Sequence, residues 1–320
     1  MGVFPLLRLL ADGRFHSGQA LGGVLSLSRA AIWNQVRAIE RLDLRVYKVR
    51  GRGYRLAEPL DLIDRGLLER ALSEAPVPFA IELLDECAST NSALLESARL
   101  GEQQASALAC ELQRAGRGRR GNRWHSGVGS GLTFSLAWRF HLGAGALAGL
   151  SLAVGVAMAR ALGSFGFDQV QLKWPNDLLL NGRKLGGILI EMSGDALGPS
   201  VAVIGVGLNV RLPRTLSDKI DQPVTGLEQG TVPSRTLLLA RSLMELGAVL
   251  PEFERLGFEP FRAEWMRRHA WQGRRVSLRV AAREVASGEA AGAGADGALL
   301  LRTARGLERF HSGELRLEDK

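Results

Sequence analysis

The feature that most constrains the fold is the dipeptide Asn181-Gly182, which lies between two apolar runs. Asn-Gly is the strongest short signal for a two-residue type I′ turn, so the flanking segments are predicted to form an antiparallel hairpin. In that register Asp177 opposes Gly186. Asp177 and Lys184 project from one face, with a diagonal separation of about 7–8 Å at the backbone. Because Gly186 has no side chain, it would leave room for a ligand beside Asp177. The alternative interpretation is that Asp177 and Lys184 form an ordinary surface salt bridge.

The stretch from Gln113 to Trp124 is the second strong feature and reads Gln-Arg-Ala-Gly-Arg-Gly-Arg-Arg-Gly-Asn-Arg-Trp. Glycine permits close backbone approach to a ligand, and arginine offers a fork of donors that fits carboxylate or phosphate. The stretch also spells G-x-G-x-x-G. Residues 125–131 are too rich in glycine to begin a helix, however, and 132–138 alternate like a strand, which argues against a dinucleotide fingerprint. A mobile loop that closes on a polyanion is predicted, with a solvated basic loop as the alternative.

Composition bounds the class of protein. A chain of 320 residues has room for two or three domains, and its net charge of +8 favours an anionic partner. The two cysteines indicate no disulfide framework and a reducing, cytoplasmic location. The most membrane-like stretch, 142–165, is rich in Ala and Gly and carries Arg160, so we expect a buried helix and no membrane partner. Two of the five lysines, Lys173 and Lys184, flank the hairpin motif, which suggests that an amine is needed there.

Three short helices followed by a basic hairpin over 45–56 predict a winged helix-turn-helix at the N-terminus. Ser17 and Ser28 are placed to cap the second and third helices, and the third carries an apolar stripe over residues 32–39. A protein-docking module of the same shape is the alternative. The candidate DNA-contacting residues are Ser28, Arg29, Asn34, Arg37, Arg41, Lys48, Arg50 and Arg52.

The rest of the chain contains two weaker signals. Ser89-Thr90-Asn91 follows a strand that begins near Phe79, and its polar groups can either cap the next helix or bind a polar ligand head. Spacing alone favours the cap. The tail shows short strands at 275–281, 299–303 and 307–310 between Gly-Ala-rich turns, which indicates a small β-barrel that needs to dock on the rest of the protein.

The whole chain resembles the bacterial family of bifunctional biotin–protein ligases and biotin-operon repressors. The resemblance implies an α/β multidomain protein. It would have a winged helix-turn-helix over 1–63, a central α+β, class II synthetase-like catalytic domain of the biotin/lipoate ligase type over 64–271, and a small SH3-like β-barrel over 272–320. Four features in one order carry it: Phe15-His16-Ser17 with Ser28-Arg29-Ala30-Ala31-Ile32; Ser89-Thr90-Asn91; Gly116-Arg117-Gly118-Arg119-Arg120-Gly121 with Trp124; and Lys173-Trp174-Pro175-Asn176-Asp177 with Lys184-Leu185-Gly186-Gly187-Ile188.

The family's reaction gives these residues expected roles. Biotin and ATP, with Mg²⁺, form biotinyl-5′-adenylate, and a lysine of the biotin carboxyl-carrier protein of acetyl-CoA carboxylase then receives the biotin. By resemblance, the adenylate is also a corepressor that favours a homodimer bound to operator DNA of the biotin operon. The implied biotin-binding residues are Ser89, Thr90, Asn91, Gln113, Gly116, Arg117, Lys184 and Gly187; the nucleotide-binding residues are Arg119, Arg120, Trp124, Asn176, Lys184 and Asn209; and the catalytic residues are Lys184, Arg119 and Asp177.

Several points stay open at this stage. Asp177 can orient Mg²⁺ or help to deprotonate the incoming lysine. Asn122 departs from the family pattern, which has another arginine there, and Arg123 is a candidate substitute. Two other functions compete: a transcription factor whose second domain only senses a ligand, and a lipoate ligase of the same architecture. The winged helix and the Arg-Gly loop argue against lipoate.

Overall fold

The computed structural model describes residues 2–98, 104–194, 198–227, 232–281 and 283–318. Within these ranges the chain forms three sheets, of two, seven and five strands. The sheets follow one another along the sequence, each within its own part of the chain. This succession matches the predicted fold class: a helical unit with a two-stranded wing, a central sheet covered by helices, and a strand-rich C-terminal unit.

The N-terminal unit is built as predicted. Ser17 and Ser28 accept hydrogen bonds from backbone N–H groups three residues on, at 3.0 and 3.2 Å, so both predicted helix caps are confirmed. The apolar stripe of the third helix is buried in a core of its own. The elements are α1 (Phe4–Leu10), α2 (Gly18–Leu25), α3 (Arg29–Glu40), β1 (Val46–Val49) and β2 (Gly53–Leu56), with β1 and β2 antiparallel.

The central unit is a seven-stranded mixed sheet with strand order β3-β4-β5-β9-β8-β7-β6. Its helix α5 packs on one face against β4, β5 and β9, while α6 and α8 pack against each other on the opposite side. The elements are α4 (Arg65–Ala71), β3 (Ala80–Cys87), α5 (Thr90–Ala98), β4 (Ala105–Gln113), β5 (Gly131–Phe140), α6 (Leu150–Gly163), β6 (Gln171–Lys173), β7 (Asp177–Leu180), β8 (Arg183–Gly194), β9 (Ser200–Asn209), α7 (Arg214–Ser217), α8 (Arg235–Leu256) and α9 (Glu259–Arg268).

The apolar composition of β5 explains why it lies in the interior of this sheet, between β4 and β9. Leu132, Phe134, Leu136 and Trp138 point to one side and are buried in the large core under α6 and α8. Ala137 points to the other side, into the smaller cluster beneath α5. A strand that is buried on both faces needs this near-continuous apolar composition.

The predicted hairpin is confirmed, but its register differs from the prediction. Both residues of the turn at 181–182 have positive φ, 52° and 72°, as a type I′ turn requires. Next to the turn, Leu180 pairs with Arg183 and Leu179 with Lys184, as a two-residue turn requires. Farther along, β8 carries one extra residue, a β-bulge, so Asp177 pairs with Gly187 and not with Gly186. A bulge of one residue reverses which side chains face the ligand, and periodicity alone does not reveal it.

The C-terminal unit is a five-stranded antiparallel sheet with strand order β13-β12-β11-β10-β14. The three predicted strands are present, and the structure adds β11 and β14, which sequence reasoning missed. Its apolar side chains belong to the same buried cluster as those of the central unit, so the docking expected for so small a sheet is present. The strands are β10 (Arg275–Val280), β11 (Arg283–Ala293), β12 (Leu299–Thr303), β13 (Gly306–Phe310) and β14 (Glu314–Leu317).

A buried ion pair holds the segment that joins the first two units. Arg235, at the start of α8, lies 2.7 Å from Glu111 of β4, and both side chains are almost fully buried. Arg235 also donates to the carbonyl of Asp61 at 2.6 Å, and Glu111 accepts from the backbone N–H of Ile63 at 2.6 Å. Because the two buried charges pair with each other and with the backbone of Asp61 and Ile63, the connection has a defined path along the sheet.

The stretch 142–165, considered above as a membrane candidate, forms part of the core around α6. Over the described ranges, no helix has both the length and the apolar composition that crossing a bilayer requires.

Candidate active site

A cavity of about 430 Å³ opens where the Arg-Gly loop crosses the end of the central sheet. The hairpin β7–β8, the N-terminus of α5 and the last strand β14 also contribute to its wall. Thirteen of the predicted site residues line it: Ser89, Thr90, Asn91, Gln113, Arg117, Arg119, Arg120, Trp124, Asn176, Asp177, Lys184, Gly187 and Asn209. Gly116 is the exception, because it supports the loop from behind.

One end of the cavity is a network of uncharged polar groups. The side-chain carbonyl of Gln113 accepts hydrogen bonds from the backbone N–H and the hydroxyl of Thr90, at 2.8 and 3.2 Å. The Ser135 hydroxyl lies 2.7 Å from the Thr90 hydroxyl and 2.6 Å from the Asn91 side-chain oxygen. The Asn91 amide donates to the Leu189 carbonyl at 3.2 Å. Thr90 and Asn91 therefore bond to neighbouring strands, and the helix-cap interpretation that spacing favoured is wrong for these two residues.

The opposite end is cationic and centres on one carboxylate. Asp177 lies 2.8 Å from the ammonium group of Lys184 and 3.9 Å from that of Lys173. Close by, the Arg119 guanidinium donates to the side-chain oxygen of Asn176 at 2.9 Å. Lys184 is largely buried in this contact, with 19% of its side chain exposed, so a simple surface salt bridge does not describe the pair.

Positive charge exceeds negative charge around this cavity. Among the described residues, eight Lys or Arg side chains line it, against three Asp or Glu side chains. Burial lowers the pKa of Lys173, and the nearby charge of Lys184 lowers it further, although Asp177 opposes the shift. Burial also lowers the pKa of Arg119, as does Arg120. These cations repel one another and have lost part of their hydration. A bound polyanion would offset both unfavourable effects, so the cavity is a favourable site for one.

The Arg-Gly loop is itself a small hairpin. The backbone N–H of Trp124 donates to the carbonyl of Gly116 at 2.9 Å, and that of Gly118 donates to the carbonyl of Asn122 at 2.7 Å. A Cβ on Gly116 would lie 2.5 Å from the Trp124 carbonyl, which explains why glycine is needed there although it does not reach the cavity. At the tip, Arg120 has a φ of 56°, in the left-handed region that a non-glycine residue seldom adopts.

Two glycines of β9 make room for two of the site side chains. A Cβ on Gly205 would lie 2.1 Å from the Asn91 side-chain oxygen, and one on Gly207 would lie 2.4 Å from the Trp124 ring. The indole nitrogen of Trp124 and the amide nitrogen of Asn209 are buried without a hydrogen-bond partner among the described residues. Both line the cavity, and an unpaired buried donor there is available to a ligand.

The C-terminal sheet completes the wall. Glu314 and Arg316 of β14 line the cavity, and Glu314 lies 3.9 Å from the loop residue Arg120. The Lys173 ammonium sits 4.7 Å above the ring of Trp271, just before that sheet begins. The site therefore depends on Glu314 and Arg316, which lie about 120 positions beyond the end of the hairpin in sequence.

Sequence reasoning missed several residues of the site. Most of these residues lie in strands, where their position in the sequence gives no indication of a functional role. The two glycines of β9 are the exception, since a glycine inside a strand often marks close approach by another group. The missed residues are Ser135, Glu191, Gly205, Gly207, Glu314 and Arg316. The sequence marks Lys173, with Lys184, as a candidate amine but assigns it no binding or catalytic role.

The candidate Mg²⁺ ligand, Asp177, does not fit that role well. Its carboxylate already faces two ammonium groups. In the part of the chain that the structure describes, no group of three or more His, Cys, Asp or Glu side chains is arranged to hold a metal ion. Mg²⁺ is usually bound through one or two carboxylates and through substrate phosphates, so a metal here would depend on the nucleotide.

A second surface lies on the N-terminal unit. All eight predicted DNA-contacting side chains are exposed, and the start of α3 and the wing enclose a shallow groove lined by Arg29, Lys48 and Arg50. Lys48 forms an ion pair with Glu40 at 2.8 Å, and Arg52 stacks on Phe15. Three of the predicted cationic side chains, Arg29, Lys48 and Arg50, therefore meet at one groove, where phosphate could bind.

The fold and the site define a protein ligase of the biotin/lipoate type joined to a helix-turn-helix domain. The model of the biotin/lipoate A/B protein ligase family matches residues 84–209, and the model of an HTH domain matches residues 4–55. A biotin protein ligase from Aquifex aeolicus, solved in complex with biotin and ATP, is similar with a TM-score of 0.63 and 27% identity, covering 75% of this chain and 99% of that one.

Full-length relatives define the family more closely. The bifunctional ligase/repressor BirA of Salmonella typhimurium is 38% identical over 98% of this chain and 96% of that protein, and its counterpart from Escherichia coli K12 gives the same values. The counterpart from Bacillus subtilis is 28% identical over 96% of this chain. The chain belongs to the family of bifunctional ligase/repressors, and the predicted resemblance is confirmed.

Proposed function

We propose that this chain activates biotin with ATP, transfers it to a lysine of a biotin carboxyl-carrier protein, and represses the biotin operon when it holds the intermediate. One observation carries the enzymatic part: a single cavity has an uncharged polar end and a cationic end, and one loop covers both. A neutral ring system with hydrogen-bonding groups suits the first end, and phosphates suit the second. The carboxylate of biotin would then meet the α-phosphate between them.

The first step joins the two substrates. A carboxylate oxygen of biotin attacks the α-phosphorus of ATP, the bond to the β-phosphate breaks, and pyrophosphate leaves. Ser89, Thr90, Asn91, Gln113, Arg117 and Gly187 surround biotin in this proposal, with Gly116 supporting the loop behind it. Arg119, Arg120, Trp124, Asn176 and Asn209 hold the nucleotide. Negative charge grows on phosphate oxygens during this step, and fixed cations such as Lys184 and Arg119 stabilise it.

The second step transfers biotin. The amine of the carrier lysine attacks the carbonyl carbon of the adenylate, an amide bond forms, AMP leaves, and the amine loses a proton. The Asp177 carboxylate lies beside the Lys184 ammonium group, and this contact supports a role in positioning that group. For the open choice between metal ligand and base, the crowded ammonium groups favour a role without Mg²⁺. Any Mg²⁺ would enter on the phosphates of ATP.

The N-terminal unit supplies the repressor function. We propose that the adenylate orders the Arg-Gly loop, that the ordered loop favours a homodimer, and that two winged helices then reach two operator half-sites. The exposed residues Ser28, Arg29, Asn34, Arg37, Arg41, Lys48, Arg50 and Arg52 would contact the DNA. Since each of the three sheets falls within one range, we also propose domains 1–63, 64–271 and 272–320.

Transfer to a carrier tests the enzymatic proposal. The purified chain is incubated with ATP, biotin and a biotin carboxyl-carrier domain, and the carrier mass is followed. We expect the mass of one biotin to appear on one lysine, and no change when that lysine is replaced by arginine. Modification of the carrier with lipoate in place of biotin would identify a lipoate ligase, and an unmodified carrier under all conditions would contradict the proposal.

Salt dependence tests the repressor part. If cationic side chains contact phosphates, affinity for operator DNA falls steeply as salt rises, by about tenfold to a thousandfold between 50 and 200 mM. Arg50→Ala should reduce the slope of log affinity against log salt by about two, because the homodimer then makes one phosphate contact fewer at each of its two winged helices. A flat response, or DNA binding that ignores the adenylate, would remove this part of the proposal.

A further inference from the structure

A carboxylate behind the cavity wall contacts two residues that form the wall. Glu191 lies on β8, and its Oε2 atom accepts a hydrogen bond from the Asn91 side-chain amide at 2.9 Å. The same oxygen accepts a hydrogen bond from the Arg117 guanidinium. Glu191 is not part of the cavity wall itself, whereas Asn91 and Arg117 both are. Any effect of Glu191 on a ligand therefore acts through these two partners.

The contact joins two parts of the site that are otherwise separate. Asn91 belongs to the polar network in the first turn of α5, and its amide orientation is set by donors and acceptors on both sides. Arg117 belongs to the loop, nearly thirty positions farther along the chain. Because one oxygen of Glu191 accepts hydrogen bonds from both side chains, it fixes the distance between the loop and α5.

The other attachments of the loop are weaker or lie at the other end. Arg120 reaches Glu314 only at 3.9 Å, and Arg119 bonds to the neutral side chain of Asn176. The pair formed by Arg117 and Glu191 combines opposite charges with a direct hydrogen bond, and 26% of the Glu191 side chain is exposed. A charge-assisted hydrogen bond of this kind is about twice as strong as a neutral one.

We propose that Glu191 is a positioning residue for the ligase reaction: it holds the Arg-Gly loop closed over the biotin end of the cavity through Arg117 and keeps Asn91 in register with it. The Arg117 guanidinium then bonds to Glu191. The groups of the loop that contact the ligand are its backbone and Arg119. This inference rests on the proposed function and adds to it the residue that retains the bound biotin and its adenylate.

The test uses the full chain with Glu191→Gln, which keeps the shape of the side chain and removes its charge. We expect the KM for biotin and the dissociation rate of the adenylate each to rise about tenfold, the loss expected for one hydrogen bond to a charged group. The KM for ATP and kcat at saturating biotin should stay within about twofold, since the cationic end is untouched. A residue that only stabilises the fold would not separate the two substrates in this way.

Two further variants complete the test. Arg117→Met in the same assay reports on the pair from the loop side, and combining it with Glu191→Gln should add little to either single change. Glu86→Gln is the matched control, because Glu86 forms a comparable pair with Arg114, at 2.7 Å, beside the loop but outside the cavity. Unchanged biotin retention in both Glu191→Gln and Arg117→Met, or slower dissociation, would overturn the inference. If the unaltered chain released no pyrophosphate with biotin, the proposed function itself would fail.

Discussion

The two ends of the cavity recognise ligands by different means. At the polar end, Gln113, Thr90, Ser135 and Asn91 satisfy one another in a continuous network. At the cationic end, lysines and arginines outnumber carboxylates. A network whose groups already hold one another in place discriminates between ligands by their shape and hydrogen-bond pattern. A poorly matched ligand would leave buried polar groups unpaired. A surplus of positive charge discriminates less between different anions, but it stabilises the negative charge that develops during the reaction. Affinity for biotin and rate of activation should therefore respond to different substitutions.

The largest effect is expected at the cationic end. Lys184→Ala should lower the rate of adenylate formation by on the order of 100- to 1000-fold, as expected for loss of a preorganised charge. Biotin binding should change little, and thermal unfolding should show an intact fold, since Lys173 remains beside the Asp177 carboxylate. Pyrophosphate release in single turnover is the measurement. Normal turnover in this variant would show that Lys184 has no role in the mechanism. It would also contradict the proposed division between a polar end that sets biotin affinity and a cationic end that sets the rate.

The two glycines of β9 offer a sharper comparison, because they lie two residues apart and face different ends. Gly205→Ala places a methyl group against Asn91, and Gly207→Ala places one against the Trp124 ring. We expect the first to raise the KM for biotin and the second to raise the KM for ATP, each on the order of 10–100-fold for an ångström-scale displacement.

Gly23→Ala is the control for this pair, since a Cβ there meets no atom within 4 Å. It should leave both KM values unchanged. If the two variants of β9 affected both substrates equally, the cavity would have to be regarded as a single subsite.

The smallest of these effects concerns the loop between the ends. Arg119→Gly removes the hydrogen bond to Asn176, at 2.9 Å, and so loosens the closed loop. The dissociation rate of the adenylate should rise roughly tenfold, the loss expected for one hydrogen bond to a charged group. Chasing labelled adenylate with unlabelled compound measures this rate. An unchanged rate would show that the loop is held by its other contacts.

Local chemistry made much of the fold predictable. The caps Ser17 and Ser28, the type I′ turn at 181–182 and the apolar stripe of α3 each depend on neighbouring residues, and all are present. Strand β11 was missed because residues 283–293 are rich in alanine and glycine, which lack the branched side chains typical of strands.

The site was predictable only in part, for a different physical reason. Motifs placed thirteen predicted residues on one cavity. The bulge that brings Gly187 beside Asp177 lies next to Lys184, whose backbone bonds to the distant residues Pro223 and Thr225. The approach of β14 to the cavity depends on how two units dock. Glu191 carries no motif, and its role follows from partners 74 and 100 positions away. Such long-range contacts leave no periodic signal in the sequence.

Pyrophosphate release from ATP, measured with biotin, with lipoate and with neither, tests the central claim most directly. No carrier protein is added, so the reaction stops at the intermediate. With biotin we expect a burst of about one pyrophosphate per chain and retention of the adenylate on the protein. With lipoate, or without an acid, we expect no burst. Biotin binding without any release of pyrophosphate would contradict the claim and would leave a ligand sensor attached to a DNA-binding domain.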